Sequence, residues 1–173
     1  RLEGLSPNEK GRNLWILGER FWLQLPGSRR ILSVTPQQRL LGPASGSDVA
    51  RVRFSESYTV EAVTPEAWEG RPALRLELRA TQTRLTWRTA RLWVTAEGRP
   101  LEGAFYLSSG KLARTIRFDA PVSVLGTRLI PGLTLRDPSG SETRLTFDHW
   151  TPGPQDPTHF EGPTALVEGA RRP

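Results

Sequence analysis

Leucine and charge alternate without interruption in Leu74-Arg75-Leu76-Glu77-Leu78-Arg79. Successive side chains of an extended chain point to opposite faces, so this run predicts a strand with one face buried and one face wet. An antiparallel sheet has this character. Similar runs recur at residues 14–17, 21–25, 31–34, 58–63, 92–95, 105–107, 115–118, 129–135 and 143–149. Between them lie Pro26-Gly27-Ser28, Glu97-Gly98-Arg99-Pro100, Ser108-Ser109-Gly110-Lys111 and Asp137-Pro138-Ser139-Gly140. Proline fixes φ near about −65° and glycine accepts positive φ, so these segments reverse the chain. Strands spaced by roughly 8–12 residues predict a mainly β meander, sandwich or barrel. Helix is confined to residues 46–54, where Ser47 or Asp48 can accept the free N–H groups of a first turn. Gly42-Pro43 and Gly46 argue equally for a loop there. Beyond Trp150, Thr151-Pro152-Gly153-Pro154-Gln155-Asp156-Pro157 is poor in backbone donors and predicts an extended segment, with Phe160 as its anchor. The pattern gives one β domain over residues 1–160 and a C-terminal tail over 161–173.

Composition narrows the function. The 173 residues carry 24 Lys+Arg against 18 Asp+Glu, and Lys10 and Lys111 are the only lysines. Placed on strands, the arginines fall largely opposite the leucines, as the wet face of a half-buried sheet. They could also orient the domain on an anionic membrane surface, at roughly 1 kcal/mol per residue. The segment from Arg84 to Trp93 interleaves arginine with aromatics, as single-stranded nucleic acid binding requires, but lacks the signature of an RNA module. Nucleic acid is therefore not the expected partner. No stretch approaches about 18 consecutive apolar residues, so no membrane-spanning helix is predicted. With no cysteine, a disulfide scaffold, a thiolate zinc site and a cysteine nucleophile are excluded.

Candidate chemistry is sparse. The two histidines, His149 and His159, form no His-x-x-x-His pair, and no metal ligand set follows from the spacing. Gly42-Pro43-Ala44-Ser45-Gly46 has the wrong spacing for a nucleophile elbow. Ser109-Gly110-Lys111 ends like a phosphate loop, but Phe105 stands where that loop requires glycine. Asp137-Pro138-Ser139-Gly140-Ser141-Glu142 is too short for a calcium loop. No catalytic residue, metal site or cofactor is expected, and the chain reads as a non-enzyme. The aromatics carry more information. Trp15, Phe21, Trp22 and Leu23 cluster in the first hairpin. Period two puts Leu74, Leu76, Leu78, Leu92, Val94, Phe105, Leu107, Ile116, Phe118, Leu145 and Phe147 on one inner face. Together these residues form either an ordinary core or the lining of a concavity for a hydrophobic ligand. Trp93 falls on the outer face beside Arg91, as a partner contact or under an arginine stem.

Several segments in order resemble one family. They are Gly11-Arg12-Asn13-Leu14-Trp15-Ile16, Phe21-Trp22-Leu23-Gln24-Leu25-Pro26 and Arg29-Arg30-Ile31, then Gly46-Ser47-Asp48 and Tyr58-Thr59-Val60-Glu61. Further on come Leu92-Trp93-Val94 with Gly98-Arg99-Pro100-Leu101, and Ser109-Gly110-Lys111-Leu112 with Thr115-Ile116-Arg117-Phe118. Ile130-Pro131, Leu133-Thr134-Leu135, Glu142-Thr143-Arg144-Leu145-Thr146-Phe147 and Phe160 complete the series. This order resembles the LolA/LolB-like superfamily of periplasmic, outer-membrane lipoprotein-sorting proteins. The resemblance implies an unclosed β-barrel, a curved antiparallel sheet whose concave side is covered by short helices. It also implies non-covalent binding of lipoprotein acyl chains or lipid, and a place in the periplasm or cell envelope after export and removal of a leader.

Two departures from the family stand out. Its N-terminal helix and first two or three strands are expected before residues 11–16, and Arg1–Leu5 reads as the end of a strand. The N-terminal part of the fold is therefore expected to be missing from this chain. The open edge this leaves would be covered by that segment or by a second copy in a homodimer. Gly42-Pro43-Ala44-Ser45 also replaces a more apolar, often methionine-bearing lid segment. The alternative reading is an envelope structural or protein-interaction domain with no ligand cavity.

Overall fold

The computed structural model describes residues 2–3, 10–17, 20–34, 39–41, 44–45, 54–83, 85, 87–150, 153–154 and 156. The segment 46–53, with Gly46-Ser47-Asp48, lies outside these residues, as do His159 and Phe160. Contacts divide the chain into two compact units. One comprises Arg1–Leu40, Ser45–Ala50 and Thr151–Pro173, and the other Leu41–Ala44 and Arg51–Trp150.

The first unit contains a four-stranded antiparallel meander of β1 (Leu2–Glu3), β2 (Asn13–Leu17), β3 (Arg20–Gln24) and β4 (Ile31–Val34). Leu14, Leu23 and Leu32 stand opposite one another, as do Ile16, Phe21 and Val34. The other face carries the row Trp15, Trp22, Ser33 and the row Asn13, Gln24, Ile31. Both faces are in use, since Leu14 and Phe21 are buried on one and Trp22 and Asn13 on the other. Gly27, at φ 70°, makes the β3–β4 turn that the Pro-Gly-Ser sequence predicts. A two-stranded ribbon joins β5 (Arg39–Leu41) to β6 (Ala44–Ser45).

The second unit opens on a single helical turn, α1 (Phe54–Ser57), and continues directly into β7 (Tyr58–Trp68). Then follow β8 (Arg71–Ala80), β9 (Thr89–Val94), β10 (Pro100–Tyr106) and β11 (Leu112–Phe118). A hairpin of β12 (Val122–Val124) and β13 (Thr127–Leu129) stands apart, before β14 (Gly132–Arg136) and β15 (Glu142–Thr146). The sheet order is β15-β14-β11-β10-β9-β8-β7, every pair antiparallel. The sheet is therefore unclosed, with β7 and β15 at its edges. The mainly β, unclosed antiparallel architecture is the one expected from the alternation.

Three details differ from expectation, each for a local reason. The run 129–135 is broken at Ile130-Pro131, because Pro131 has no N–H to give a ladder. The hairpin 122–129 was not anticipated, since three-residue strands are too short to show an alternation. β7 extends through Pro65 to Trp68, which an edge strand tolerates and an inner strand would not. A bulge between Val60 and Ala62 shifts its register against β8.

Phe105 and Leu135 are each only 1% exposed and, with Leu78, Leu92, Val94 and Ile116, form the centre of the larger unit's core. Each such side chain contributes about 1.5–3 kcal/mol through removal of apolar area from water. Tyr58 is buried beside them and donates a hydrogen bond of 3.1 Å to the Trp87 carbonyl. Burial pushes its hydroxyl up to about 12, because the phenolate would lose its hydration. Gly132 is buried where a Cβ would stand 2.7 Å from both the Leu145 carbonyl oxygen and an Asp119 carboxylate oxygen.

Phe105→Ala is expected to cost about 3–5 kcal/mol by cavity formation. Gly132→Ala should also destabilise, because the methyl group meets rigid backbone. Leu125→Ala, at a side chain 78% exposed, should change stability by less than about 0.5 kcal/mol. Urea midpoints of the three variants check this ranking. For Tyr58 the folded value lies above the unfolded one, so stability should hold below about pH 10 and fall as pH rises toward about 12. Tyrosinate absorbance should show a transition near 12 that Tyr58→Phe removes.

Candidate functional site

Residues directly opposed in an antiparallel ladder share a face, so the register of the larger sheet defines its two surfaces. On β7, Val60, Val63 and Pro65 stand opposite Leu78, Leu76 and Leu74 of β8. These leucines stand in turn opposite Ala90, Leu92 and Val94 of β9. The row continues through Gly103 and Phe105 of β10 to Ile116 and Arg114 of β11. It ends with Leu133 and Leu135 of β14, next to Phe118 and Ile116, and with Leu145 and Thr143 of β15. One largely apolar face therefore crosses all seven strands.

Nine of the residues singled out from the sequence lie on this face: Leu74, Leu76, Leu78, Leu92, Val94, Phe105, Ile116, Phe118 and Leu145. Leu107 and Phe147 fall just past the ends of β10 and β15 and are exposed. Trp15, Phe21, Trp22 and Leu23 belong to the other unit. They are divided there, with Trp15 and Trp22 on one face of the four-stranded sheet and Phe21 and Leu23 on the opposite one.

Burial is uneven across the apolar face. Its centre is closed, whereas Leu74, Leu76, Phe118, Leu133 and Leu145 are half-buried. Toward β7 the face opens, with Val60 54% and Val63 55% exposed. Over the centre lies an aromatic cluster that period-two reasoning missed. Phe54 of α1 stacks at 6.0 Å on Phe105, and lies 6.3 Å from Tyr58 and 6.4 Å from Phe118. Trp87, from the connection before β9, is 6.4 Å from Phe105. Phe54 and Trp87 come from outside the strands, so alternation could not point to them. Two polar groups interrupt the face. Arg114 is buried opposite Phe105, and the Thr143 hydroxyl is buried with no hydrogen-bond partner.

The opposite face is a lattice of ion pairs. Arg75 bridges Glu66 and Glu77, and Arg91 reaches Glu77 at 3.2 Å and lies over the Tyr106 ring. Arg79 pairs with Glu61, Arg136 with Glu142 at 2.6 Å, and Arg117 with Glu69 at 2.7 Å. Arg144 grips both Asp119 carboxylate oxygens and the Thr134 hydroxyl. Trp93 is tied to this lattice by a 3.0 Å hydrogen bond from its indole N–H to Glu66. Exposed pairs of this kind contribute about 0–1 kcal/mol each, and they neutralise much of the arginine excess locally. Of the arginine-aromatic segment, Arg91 is engaged by Glu77, and Arg88 donates to the Gln82 carbonyl. His149 is exposed beside Asp148 at 3.1 Å. Among the described residues no group of three metal-ligating side chains occurs, and no helix is long and apolar enough to cross a membrane.

At one end of the larger sheet, a pocket of about 700 Å³ lies among the β7–β8 turn, the β9–β10 turn and the segment leaving β11. Phe118 lines this pocket and also belongs to the aromatic cluster on the apolar face.

Known structures share this fold. A LolA superfamily protein from Nitrosomonas europaea superposes with a TM-score of 0.76 at 24% identity, covering 91% of this chain and 73% of that one. A domain from Vibrio parahaemolyticus, described as an outer membrane lipoprotein-sorting protein domain, gives 0.67 at 18% identity, covering 81% of this chain and 64% of that one. A DUF1329 family protein from Desulfovibrio piger gives 0.66 at 13% identity, again over 81% and 64%. The chain thus spans just under two thirds of the latter two structures. No curated protein matches it in sequence. A family model described as "Uncharacterized protein" matches residues 3–161. The chain therefore belongs to that family, and its fold is that of the LolA superfamily.

Proposed function

We propose that the apolar face of the seven-stranded sheet binds acyl chains of lipids or lipoproteins without covalent chemistry, in the service of lipoprotein sorting in the periplasm or cell envelope. The observation that carries this reading is the continuity of the face. Seven strands contribute apolar side chains to one side, and the face is left open toward Val60 and Val63. An open apolar surface next to a closed core is what an amphiphile requires. The match of fold to a lipoprotein-sorting domain supports the same class of ligand.

Apolar area removed from water is worth about 25 cal/mol per Å², so a sixteen-carbon chain gains several kcal/mol in such a site. Binding of this kind uses no nucleophile, metal or cofactor. Release follows when an acceptor offers the chain a better site, since a ligand moves only along a difference in affinity. The candidate lining is the part of that face the core leaves open, Leu74, Leu76, Phe118 and Leu145, together with Phe54, Val60 and Val63. A second reading is favoured by the same exposed valines: a partner protein packs its side chains there, and no lipid enters.

Organic extraction of the purified protein, followed by mass spectrometry, should recover bound lipid. Palmitate at about 100 times its dissociation constant should stabilise the fold by about 2.7 kcal/mol. Val63→Glu, at a site open enough to spare the fold, should weaken palmitate binding about tenfold. Absence of both extracted lipid and thermal stabilisation by palmitate or a lipopeptide would favour the protein-interaction reading.

A further inference from the structure

The pocket at the end of the larger sheet has a different chemistry from the apolar face it adjoins. Its volume of about 700 Å³ suits a small organic group. One wall is the Trp68 indole, held by a 3.3 Å hydrogen bond to Glu102 and covered by the Arg117 guanidinium at 4.9 Å from the ring centre. Leu101 and Phe118 add apolar surface.

The charged groups of the lining fall into two sets. The three carboxylates are all engaged. Glu69 is paired with Arg117, and Asp119 is gripped by Arg144. Glu97 is drawn below the usual carboxylate range, first by a hydrogen bond from the Thr95 hydroxyl and more weakly by Arg99 and Arg128. Two guanidiniums are not so engaged. Arg71, the first residue of β8, and Arg99, from the β9–β10 turn, make no side-chain hydrogen bond or ion pair among the described residues, although Arg99 is near enough to help hold Glu97 ionised. Elsewhere on the sheet, arginine after arginine is matched to a glutamate or aspartate. Arg71 and Arg99 bring two guanidiniums without such a close partner to one pocket.

We propose that this pocket takes the phosphate-bearing headgroup of the amphiphile whose chains occupy the apolar face, with Arg71 and Arg99 as the residues that hold the anion. The proposal rests on the acyl-chain reading above. Guanidinium presents its N–H groups in a planar fork that matches two oxygens of a phosphate, and such charge-assisted bonds are the stronger kind. Phe118 gives the connection: the residue lines the pocket, and its ring lies 6.4 Å from Phe54 over the apolar face. A head in the pocket can therefore continue into chains on the face. Because both arginines are exposed at the end of the sheet, they select the headgroup without altering the floor that holds the chains.

Isothermal titration of the full chain with dihexanoyl phosphatidic acid, neutral dihexanoylglycerol and sodium phosphate separates head from chain. The phosphatidic acid should bind about tenfold more tightly than the neutral lipid, with the preference shrinking as salt rises. Arg71→Gln/Arg99→Gln should abolish that preference and leave neutral-lipid binding within about twofold. Arg136→Gln, which breaks an outer-face pair instead, should keep it. Thermal melts confirm that the exposed substitutions leave the fold intact. Equal affinity for the two lipids in the wild type, or a preference surviving in the double variant, overturns the headgroup pocket while the acyl-chain reading stands. Phosphate binding that depends on the two arginines, with no added affinity from acyl chains, upholds the anion pocket and overturns the acyl-chain reading.

Discussion

Each strand of the larger sheet hands its apolar residues to the same side as its neighbour, and everything else in that unit depends on this parity. A slip of one residue in any of the six pairings would turn a strand's leucines to water and its arginines inward. The bulge between Val60 and Ala62 shows how closely parity is kept. Val60 and Val63 are three positions apart and would otherwise point to opposite sides. The extra residue brings both onto the apolar face, opposite Leu78 and Leu76. The ion-pair lattice on the reverse follows from the same rule, since Arg75, Glu77 and Arg91 can meet only if the leucines between them are turned away.

Much of this was legible in the sequence, because a half-buried strand writes its orientation into every second residue. Leu74, Leu76 and Leu78 fix the side, and Leu92, Val94, Phe105 and Ile116 follow from their own alternation. Where the signal stops, so does the inference. Leu107 and Phe147 continue an alternating run and each still donates a backbone hydrogen bond, to the Lys111 and Pro131 carbonyls, but they lie just past the ends of β10 and β15 where little packs over their side chains. In the first hairpin, Trp15, Phe21, Trp22 and Leu23 are all large and apolar, so composition groups them although parity divides them. Phe54, Trp87 and the pocket residues come from a helical turn, a connection, two chain reversals and the segment leaving β11. Their convergence is a matter of tertiary structure, and period two carries no record of it.

The arginine excess takes on a different meaning once each side chain is placed. A net charge of +6 spread evenly would make the domain a general polyanion binder. Instead Glu61, Glu66, Glu69, Glu77, Asp119 and Glu142 answer most of the arginines of the larger sheet at short range. Local neutralisation of this kind leaves a surface that is strongly hydrated but weakly steering. It leaves Arg71 and Arg99, beside the pocket, among the arginines of the larger unit that have no carboxylate at short range.

The long edge strand β7 has a further consequence. Eleven extended residues at the rim of a sheet would ordinarily be a template onto which another copy could add, the first step of edge-to-edge aggregation. β7 breaks its own regularity twice, with a bulge near its start and a proline, Pro65, in its second half that offers no N–H. Neither half is long enough to dock a regular partner strand. The side of the sheet that leaves its apolar surface accessible is thus poorly suited to recruit a second chain through its backbone, so the opening can persist at high protein concentration without seeding a fibre.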